Sequence, residues 1–375
     1  MGNGSAVARL GRKENVVKVL VTGSHGYIGT ALVPMLRAGG HDVTGLDTDL
    51  YAACDYGTAP VHPPTIHKDI RDIEIADLCG KGFEAVIHLA GLSNDPLGDL
   101  DPELTFDINH RASVRLAEIA KACGISRFLY SSSCSTYGAS GDGFLDESGT
   151  FQPVTPYGVS KALVERDLSP MAGDQFSPVY LRNATVYGYS PRLRFDLVVN
   201  NLVAWAYCTG KVRMKSDGKP WRPLVHVRDV AHAFCTLMTQ PRELIHNRPF
   251  NVGRTAENYR VRDVAQIVAD TVPGSEFSFA EDAGPDARNY RVDCTRLEHE
   301  VADYSPQWTV ASGASELFER YRTHGLKVED FEGPRWKRVG HIQQLIRQGV
   351  VDEKLRPTGG AHGGLGARVP DALAS

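Results

Sequence analysis

The sequence has no long apolar run, and no stretch reaches the roughly 18 residues that a membrane-spanning helix needs. Residues 1–14 include basic side chains but no apolar core, so we expect no secretory signal peptide. Neither sign of charge dominates, because 41 Lys and Arg residues stand against 45 Asp and Glu residues and the formal net charge is −4. This balance does not favour nucleic acid or an anionic membrane as a partner.

The chain also lacks any cysteine pair with the spacing Cys-x-x-Cys. Its seven cysteines are odd in number and scattered along the sequence. We therefore expect reduced thiols in a cytoplasmic protein rather than a disulfide framework or a zinc site, and we predict no metal centre.

The composition is that of an ordinary globular protein, with 375 residues of which 42% are hydrophobic and 23% charged. Short apolar strands alternate with helical stretches up to Gly188, which predicts a doubly wound parallel sheet of the Rossmann type within an α/β fold. The predicted units are a flexible tail at 1–15, a Rossmann-type domain at 16–188 to which parts of 224–255 return, a smaller mixed α/β domain for the substrate at 189–350, and a flexible tail at 351–375.

A glycine-punctuated turn follows the first predicted strand. Gly23, Gly26 and Gly29 open the next helix, and this spacing lets a phosphate approach backbone N–H groups closely. Asp47 ends the second strand, where an acid hydrogen-bonds a ribose 2′-hydroxyl and repels a 2′-phosphate, so the pattern favours NAD over NADP. Asp49 is the nearest alternative to Asp47.

The residues predicted to bind the cofactor come from the glycine turn and from the ends of four further segments. They are Gly23, His25, Gly26, Tyr27, Ile28, Gly29, Asp47, Asp69, Ile70, Leu89, Ala90, Gly91, Tyr157 and Lys161. Asp69 and Ile70, at the end of another predicted strand, could contact the adenine, or Asp69 could instead be a simple turn acid.

Tyr157 and Lys161 are four residues apart, so they project from one face of a predicted helix. An ammonium group beside a phenol lowers the phenol's pKa from about 10, which lets the tyrosine act as a base near neutral pH. A tyrosine base next to a dinucleotide site indicates hydride transfer at a carbon that bears a hydroxyl group.

These motifs together resemble the extended short-chain dehydrogenase/reductase family, and within it the NAD-dependent nucleotide-sugar epimerases that are similar to UDP-galactose 4-epimerase. The resemblance covers residues 17–345 and includes the segments 22–29, 88–91, 131–138 and 221–229. It implies that Tyr157 is the catalytic base, that Lys161 holds the nicotinamide ribose, and that Ser133 bridges Tyr157 and the sugar. It also implies a homodimer built on the Tyr157 helix and the helix at 109–123.

The same resemblance implies a nucleotide-diphosphate sugar as the substrate. Arg222 and Arg288 stand where the family places arginines on the diphosphate, and the planar guanidinium group suits that task. A surface or salt-bridged arginine is the alternative for each. The residues predicted to bind the substrate are Ser93, Asn94, Ser133, Ser135, Thr185, Asn200, Asn201, Arg222 and Arg288.

The two residues after Ser133 distinguish between the reactions of this family. Its 4,6-dehydratases usually carry an Asp-Glu pair there, and its decarboxylases usually keep the Glu. Cys134 and Ser135 cannot replace these carboxyl groups as acid and base. We therefore predict an epimerase that inverts a hydroxyl carbon, with C4 as the first choice, through a transient keto sugar. The alternatives are an NAD(P)H-dependent reductase of a nucleotide-bound keto sugar, a dehydratase, and a non-catalytic dinucleotide-binding protein.

Overall fold

A computed structural model of the chain describes residues 16–93, 96, 101–284 and 289–358. Its strands are β1 (Lys18–Thr22), β2 (Asp42–Asp47), β3 (Thr65–His67), β4 (Ala85–His88), β5 (Arg127–Ser133), β6 (Ala139–Leu145), β7 (Ser177–Asn183), β8 (Thr185–Tyr187), β9 (Lys211–Ser216), β10 (Trp221–His226), β11 (Arg248–Val252), β12 (Asn258–Arg260), β13 (Glu276–Gly284) and β14 (Asn289–Val292).

The α-helices lie between and after these strands. They are α1 (Gly29–Ala38), α2 (Ile75–Leu78), α3 (Pro102–Thr105), α4 (Ala112–Ala122), α5 (Pro156–Leu168), α6 (Val198–Thr209), α7 (Val227–Thr239), α8 (Arg242–Ile245), α9 (Val261–Thr271), α10 (Thr295–Glu300), α11 (Val310–His324), α12 (Val328–Glu332) and α13 (Arg338–Arg347). Within the described ranges, no helix combines the length and the apolar composition needed to cross a bilayer.

Seven parallel strands form the central sheet in the order β11-β7-β5-β4-β1-β2-β3. Val19, Leu20 and Val21 of β1 are all buried, as expected for a strand whose two faces are both covered by helices. The predicted doubly wound α/β fold is confirmed. The strand order reverses at β1, with β2 on one side and β4 on the other, so a crevice opens there at the carboxyl edge of the sheet.

Smaller sheets form the second part of the molecule. Strands β8, β10 and β12 form a three-stranded sheet, while β9 pairs with β13 and β6 pairs with β14. Helices α6, α9 and α11 pack together around a second apolar core that includes Phe195, Leu202, Val264 and Leu317. Strand β11, from the region expected to return to the first domain, pairs with β7 at the edge of the central sheet.

The chain that follows α13 packs onto the molecule, although the composition of this region predicts a flexible tail. Val351 and Leu355 are buried and belong to the same apolar core as residues of α13. Val351 also forms an isolated antiparallel bridge with Pro357. Residues 351–358 thus differ from the expectation, because the side chains of Val351 and Leu355 pack into an apolar core. Residues 1–15 and 359–375 lie outside the described ranges.

Two of the seven cysteines are joined in a disulfide, so the expectation of reduced thiols throughout is wrong for this pair. Cys79 and Cys123 are 44 positions apart in the sequence, and their Cα atoms lie 4.8 Å apart. Cys79 follows α2 and Cys123 follows α4, and these two helices pack together. Spacing along the chain gave no sign of this proximity. The other cysteines are free thiols.

Candidate active site

A cavity of about 1010 Å³ lies at the carboxyl edge of the central sheet, between the sheet and the second part of the molecule. It brings together residues that are far apart in the sequence. The predicted residues that line it are Gly23, His25, Gly26, Tyr27, Ile28, Gly29, Asp47, Asp69, Ile70, Leu89, Ala90, Gly91, Ser93, Ser133, Ser135, Tyr157, Lys161, Thr185, Asn201 and Arg222.

The glycine turn forms one wall of the cavity with its backbone. Gly23 has a φ of +70°, and its N–H donates to the carbonyl of Leu46 at 2.8 Å. A Cβ atom on Gly29 would lie 2.3 Å from the carbonyl oxygen of Gly23. Side chains are therefore excluded at both positions, and the turn can bring the start of α1 against a phosphate.

Asp47 is held in a fixed orientation at the end of β2. Its carboxylate accepts hydrogen bonds from the backbone N–H groups of His25 and Asp49, each at 2.9 Å. Asp49 is turned away and pairs with the side chains of His25 and His67, and it does not line the cavity. The structure therefore favours Asp47 over Asp49 as the acid that faces a ribose. The potential metal ligands of His25, Asp47 and Asp49 lie within 4.8 Å of one another, and these hydrogen bonds account for their closeness.

Asp69 lines the next section of the cavity but is already paired. Its carboxylate accepts from Nε of Arg71 at 3.0 Å and from Nη2 of Arg71 at 2.7 Å. Burial raises the pKa of Asp69, and the hydrogen bonds and charge of Arg71 together outweigh that effect and lower it. A contact between Asp69 and an adenine thus stays a prediction, while the apolar side chain of Ile70 lies beside it in the cavity wall.

Tyr157 and Lys161 project from α5 into the cavity, as their spacing predicts. Nζ of Lys161 donates to the carbonyl of Ser131 at 2.7 Å and lies 5.7 Å from the centre of the Tyr157 ring. Burial lowers the pKa of Lys161 to about 7, although the charge of Glu165 opposes the shift. The ammonium group is thus close enough to influence the phenol and titrates near neutral pH.

Ser133 lies at the end of β5, where it caps the 3₁₀ turn Cys134–Tyr137. Its Oγ accepts from the N–H of Ser135 at 3.1 Å and from the hydroxyl of Ser135 at 2.9 Å. The hydroxyl of Ser133 can therefore donate its own proton into the cavity. Cys134 points the other way. It is fully buried, and burial raises the pKa of its thiol, so it is not a nucleophile.

Of the two arginines predicted to bind the substrate, Arg222 is among the described residues. It is buried, its Nη1 donates to the carbonyl of Trp221 at 2.7 Å, and its guanidinium lies 5.8 Å from the centre of the Tyr290 ring. Both Arg222 and Tyr290 line the cavity. Arg288 and Asn94 lie outside the described residues.

Asn200 does not line the cavity, in contrast to Asn201. Its side chain is fully buried, accepts from the N–H of Gly188 at 2.9 Å and donates to the carbonyl of Arg194 at 2.9 Å. In this structure Asn200 therefore holds the loop between β8 and α6, and the residue beside it faces the cavity.

Asn109 is a residue of the site region that sequence reasoning missed. It lies in a π-helical turn, Phe106–Arg111, that leads into α4. Its side chain accepts from the N–H of Leu92 at 2.7 Å and donates to the carbonyl of Leu92 at 2.9 Å. It thereby fixes the backbone that follows Gly91 along the cavity. No short motif marks such a residue, because its partner is 17 positions away.

The carboxylates of the described cavity wall are all engaged in hydrogen bonds or ion pairs. Asp47 binds backbone N–H groups, and Asp69 pairs with Arg71. Asp196 pairs with Arg194 at 2.9 Å through two hydrogen bonds, and Glu332 pairs with Lys337 at 2.9 Å. None of them stands at either of the two positions directly after Ser133, and each is held by its partner rather than presented as an acid or base.

Known proteins resemble this chain in sequence and in fold. The sequence profile of the NAD dependent epimerase/dehydratase family matches residues 19–253. The chain is 28% identical over 319 residues to the UDP-glucose 4-epimerase of Mycolicibacterium smegmatis, across 82% of this chain and 99% of that protein. It is 26% identical over 330 residues to UDP-glucuronic acid decarboxylase 4 of Arabidopsis thaliana, across 86% of this chain and 72% of that protein. A solved structure, MoeE5 in complex with UDP-glucuronic acid and NAD, matches with a TM-score of 0.70 at 26% identity, across 82% of this chain and 99% of MoeE5.

Proposed function

Because the chain belongs to the NAD-dependent epimerase/dehydratase family, we propose that it epimerises a nucleotide-diphosphate sugar at a carbon bearing a hydroxyl group, with C4 as the first candidate. NAD is the cofactor; when bound, it would supply reversible hydride transfer at that carbon, so no cofactor would be consumed. The observation that carries the proposal is the convergence of Ser133, Tyr157 and Lys161 on the cavity that the glycine turn also lines.

In this proposal, Tyr157 removes the proton of the sugar hydroxyl and later returns it. Lys161 stabilises the phenolate, since an adjacent positive charge favours the ionised form of a phenol. Ser133 donates a hydrogen bond from its hydroxyl group to the sugar oxygen, because its own oxygen already accepts from Ser135. Together these groups stabilise the charge that develops on that oxygen.

Epimerisation is favoured over elimination because the carboxylates of the described cavity wall are not available as the acid and base that an elimination requires. Loss of the C6 hydroxyl requires a carboxyl acid, and removal of the C5 proton requires a base. Cys134 is buried, and Ser135 is hydrogen-bonded to Ser133. The carboxylates of the described wall are held by their partners. These features support reversible hydride transfer without elimination.

The cavity wall around Arg222 is suited to binding the nucleoside diphosphate part of the substrate. Buried Arg222 supplies positive charge, and Asn201 and Thr185 supply hydrogen-bonding groups nearby in the wall. The matched relatives act on or bind UDP-sugars by name, so UDP-sugars are the first substrates to test. The homodimer and the cytoplasmic location stay predictions.

The test begins with the cofactor content of the protein as purified. Denaturation should release near-stoichiometric NAD, which mass analysis identifies. A separate sample of the native protein should interconvert a UDP-sugar and its C4 epimer with no cofactor added. A protein that converts keto sugars only with added NADH or NADPH would instead be the reductase. A panel of UDP-, GDP- and dTDP-sugars identifies the nucleotide.

A further inference from the structure

The segment Val328–Thr358 forms part of the cavity wall, although it lies entirely beyond the region that the family profile matches. It is anchored at three places along the cofactor side. The N–H of Phe195 donates to the carbonyl of Trp336 at 3.1 Å, Nε2 of His341 contacts the carbonyl of Leu50 at 2.9 Å, and Nη1 of Arg356 lies 3.3 Å from the carboxylate of Asp69. The segment therefore runs from the second part of the molecule to the rim beyond Asp47.

Arg338, in the middle of this segment, carries a buried charge that forms no salt bridge with another described residue. Its side chain is 2% exposed, lines the cavity, and lies 3.8 Å from the centre of the Tyr51 ring. Its Nη1 has no hydrogen-bond partner within the described part of the chain, its Nη2 donates to the carbonyl of Arg192 at 3.5 Å, and Asp196 acts on it only electrostatically. Its neighbour Arg194 differs, because Asp196 neutralises it. An unpaired buried guanidinium is costly, so its presence here indicates an anionic ligand.

The surroundings of Arg338 indicate which anion this is. Tyr51, on which Arg338 stacks, is four residues beyond Asp47, the acid predicted to face the ribose, and His341 on the same helix contacts the carbonyl of Leu50 at 2.9 Å. Arg338 is thus on the cofactor side of the cavity. Arg222, the arginine predicted to bind the substrate, lies on a different wall beside Tyr290.

We propose that Val328–Thr358 is a cofactor-retaining cover, and that Arg338 binds the diphosphate of the dinucleotide opposite the glycine turn. The diphosphate is then held between backbone N–H groups on one side and a guanidinium group on the other. The cofactor can leave only when this cover moves. This inference rests on the proposed function, since an epimerase must keep its cofactor through every turnover.

The experiment measures how fast bound NAD exchanges with isotope-labelled NAD in solution, by mass spectrometry of the whole protein after rapid desalting and denaturation. Arg338→Met removes the charge and keeps an unbranched side chain. We expect exchange to accelerate roughly tenfold to a hundredfold, which corresponds to the loss of a charge-assisted hydrogen bond. Arg322→Met is the matched control, because Arg322 is exposed on α11 and pairs with Glu319. It should exchange like the wild type.

Thermal unfolding separates ligand binding from a merely structural role. Freed of NAD, the Arg338→Met protein should unfold at the same or a higher temperature than the wild type, because it no longer buries an unpaired charge. Added NAD should raise its unfolding temperature less than it raises that of the wild type. A lower unfolding temperature with unchanged exchange would overturn the inference. If Arg338→Met does not fold, Arg338→Gln replaces it, since it also removes the charge, and exchange equal to the wild type would again overturn the inference.

The affinity for UDP distinguishes the two diphosphates that could occupy the cavity. Titration calorimetry with UDP should give the same affinity for the wild type and for Arg338→Met. Weaker UDP binding with unchanged NAD exchange would assign Arg338 to the substrate and overturn the proposal. A wild type that neither holds nor takes up NAD would refute the proposed function as well, whereas normal NAD retention in both proteins refutes only this inference.

Discussion

Lys161 is a buried lysine that lines the cavity, and its ionisation links the site to the stability of the protein. Burial lowers its pKa from 10.5 to about 7, whereas in the unfolded chain the group regains its ordinary value. Between these two pKa values, the unfolded chain binds one more proton than the folded protein. Stability therefore rises with pH in this window.

The first prediction concerns this pH dependence. In the NAD-free protein, the contribution of Lys161 to the free energy of unfolding should rise by about 1.4 kcal/mol per pH unit between about pH 7 and about pH 10. Lys161→Met removes the titrating group, so the difference between wild type and variant should have this slope. Urea denaturation of both proteins at a series of pH values measures it. Parallel curves would show that the ammonium is not buried as the structure has it.

Tyr157 carries the chemistry in this account. Tyr157→Phe keeps the ring and removes only the phenolic oxygen. Turnover should therefore fall by about 100-fold to 10,000-fold, the range expected when a general acid–base group is lost. The NAD content of the purified variant should stay the same. Tyr207→Phe is the control, because Tyr207 packs against Phe318 outside the cavity, and it should be as active as the wild type. Near-normal turnover by Tyr157→Phe would mean that the base is another group.

At the scale of elements, the π-helical turn before α4 and the segment after β4 support each other. The amide of Asn109 satisfies both backbone groups of Leu92, and Asn109 and Leu92 are both buried. The turn thus positions the backbone that leads from Gly91 to Ser93 along the cavity. The sequence predicts a regular α-helix at 109–123, whereas the structure begins this region with a π-helical turn. An apolar pattern does not show that a side chain will hydrogen-bond to another segment.

Asn109→Ala tests this support directly. It leaves the N–H and the carbonyl of Leu92 buried without partners, so the free energy of unfolding should fall by about 1–3 kcal/mol. Arg111→Ala, on the same turn, removes only exposed ion pairs with Glu103 and Asp107 and should cost less than about 1 kcal/mol. Urea denaturation compares the two variants. Equal effects would mean that the Asn109 hydrogen bonds do not stabilise the protein.

At the scale of the whole molecule, the sequence predicted what local pattern encodes. The apolar runs that end at Asp47 and Ser133, and the glycine turn between β1 and α1, carry their signal within a few residues, and the doubly wound sheet is their sum. The pairing of Tyr157 with Lys161 is likewise local, because one helix face presents both.

Features that depend on distant partners could not be read in advance. Asn200 is buried by contacts with Gly188 and Arg194, although its neighbour Asn201 reaches the cavity. The same limit applies to the Cys79–Cys123 disulfide and to the segment at 328–358, whose apolar residues enter a core formed by elements far earlier in the chain. Sequence proximity carries no information about such contacts.

The central claim is that this molecule removes a hydride from one sugar carbon and returns it to the same carbon. The most direct measurement is conversion of UDP-glucose deuterated at C4, with no added cofactor, followed by NMR and mass analysis of the product. The account predicts the C4 epimer with the deuterium retained at C4. A deoxy keto sugar with the deuterium moved to C6 would contradict it and show a dehydratase, and a requirement for added NADH with a keto-sugar substrate would show a reductase.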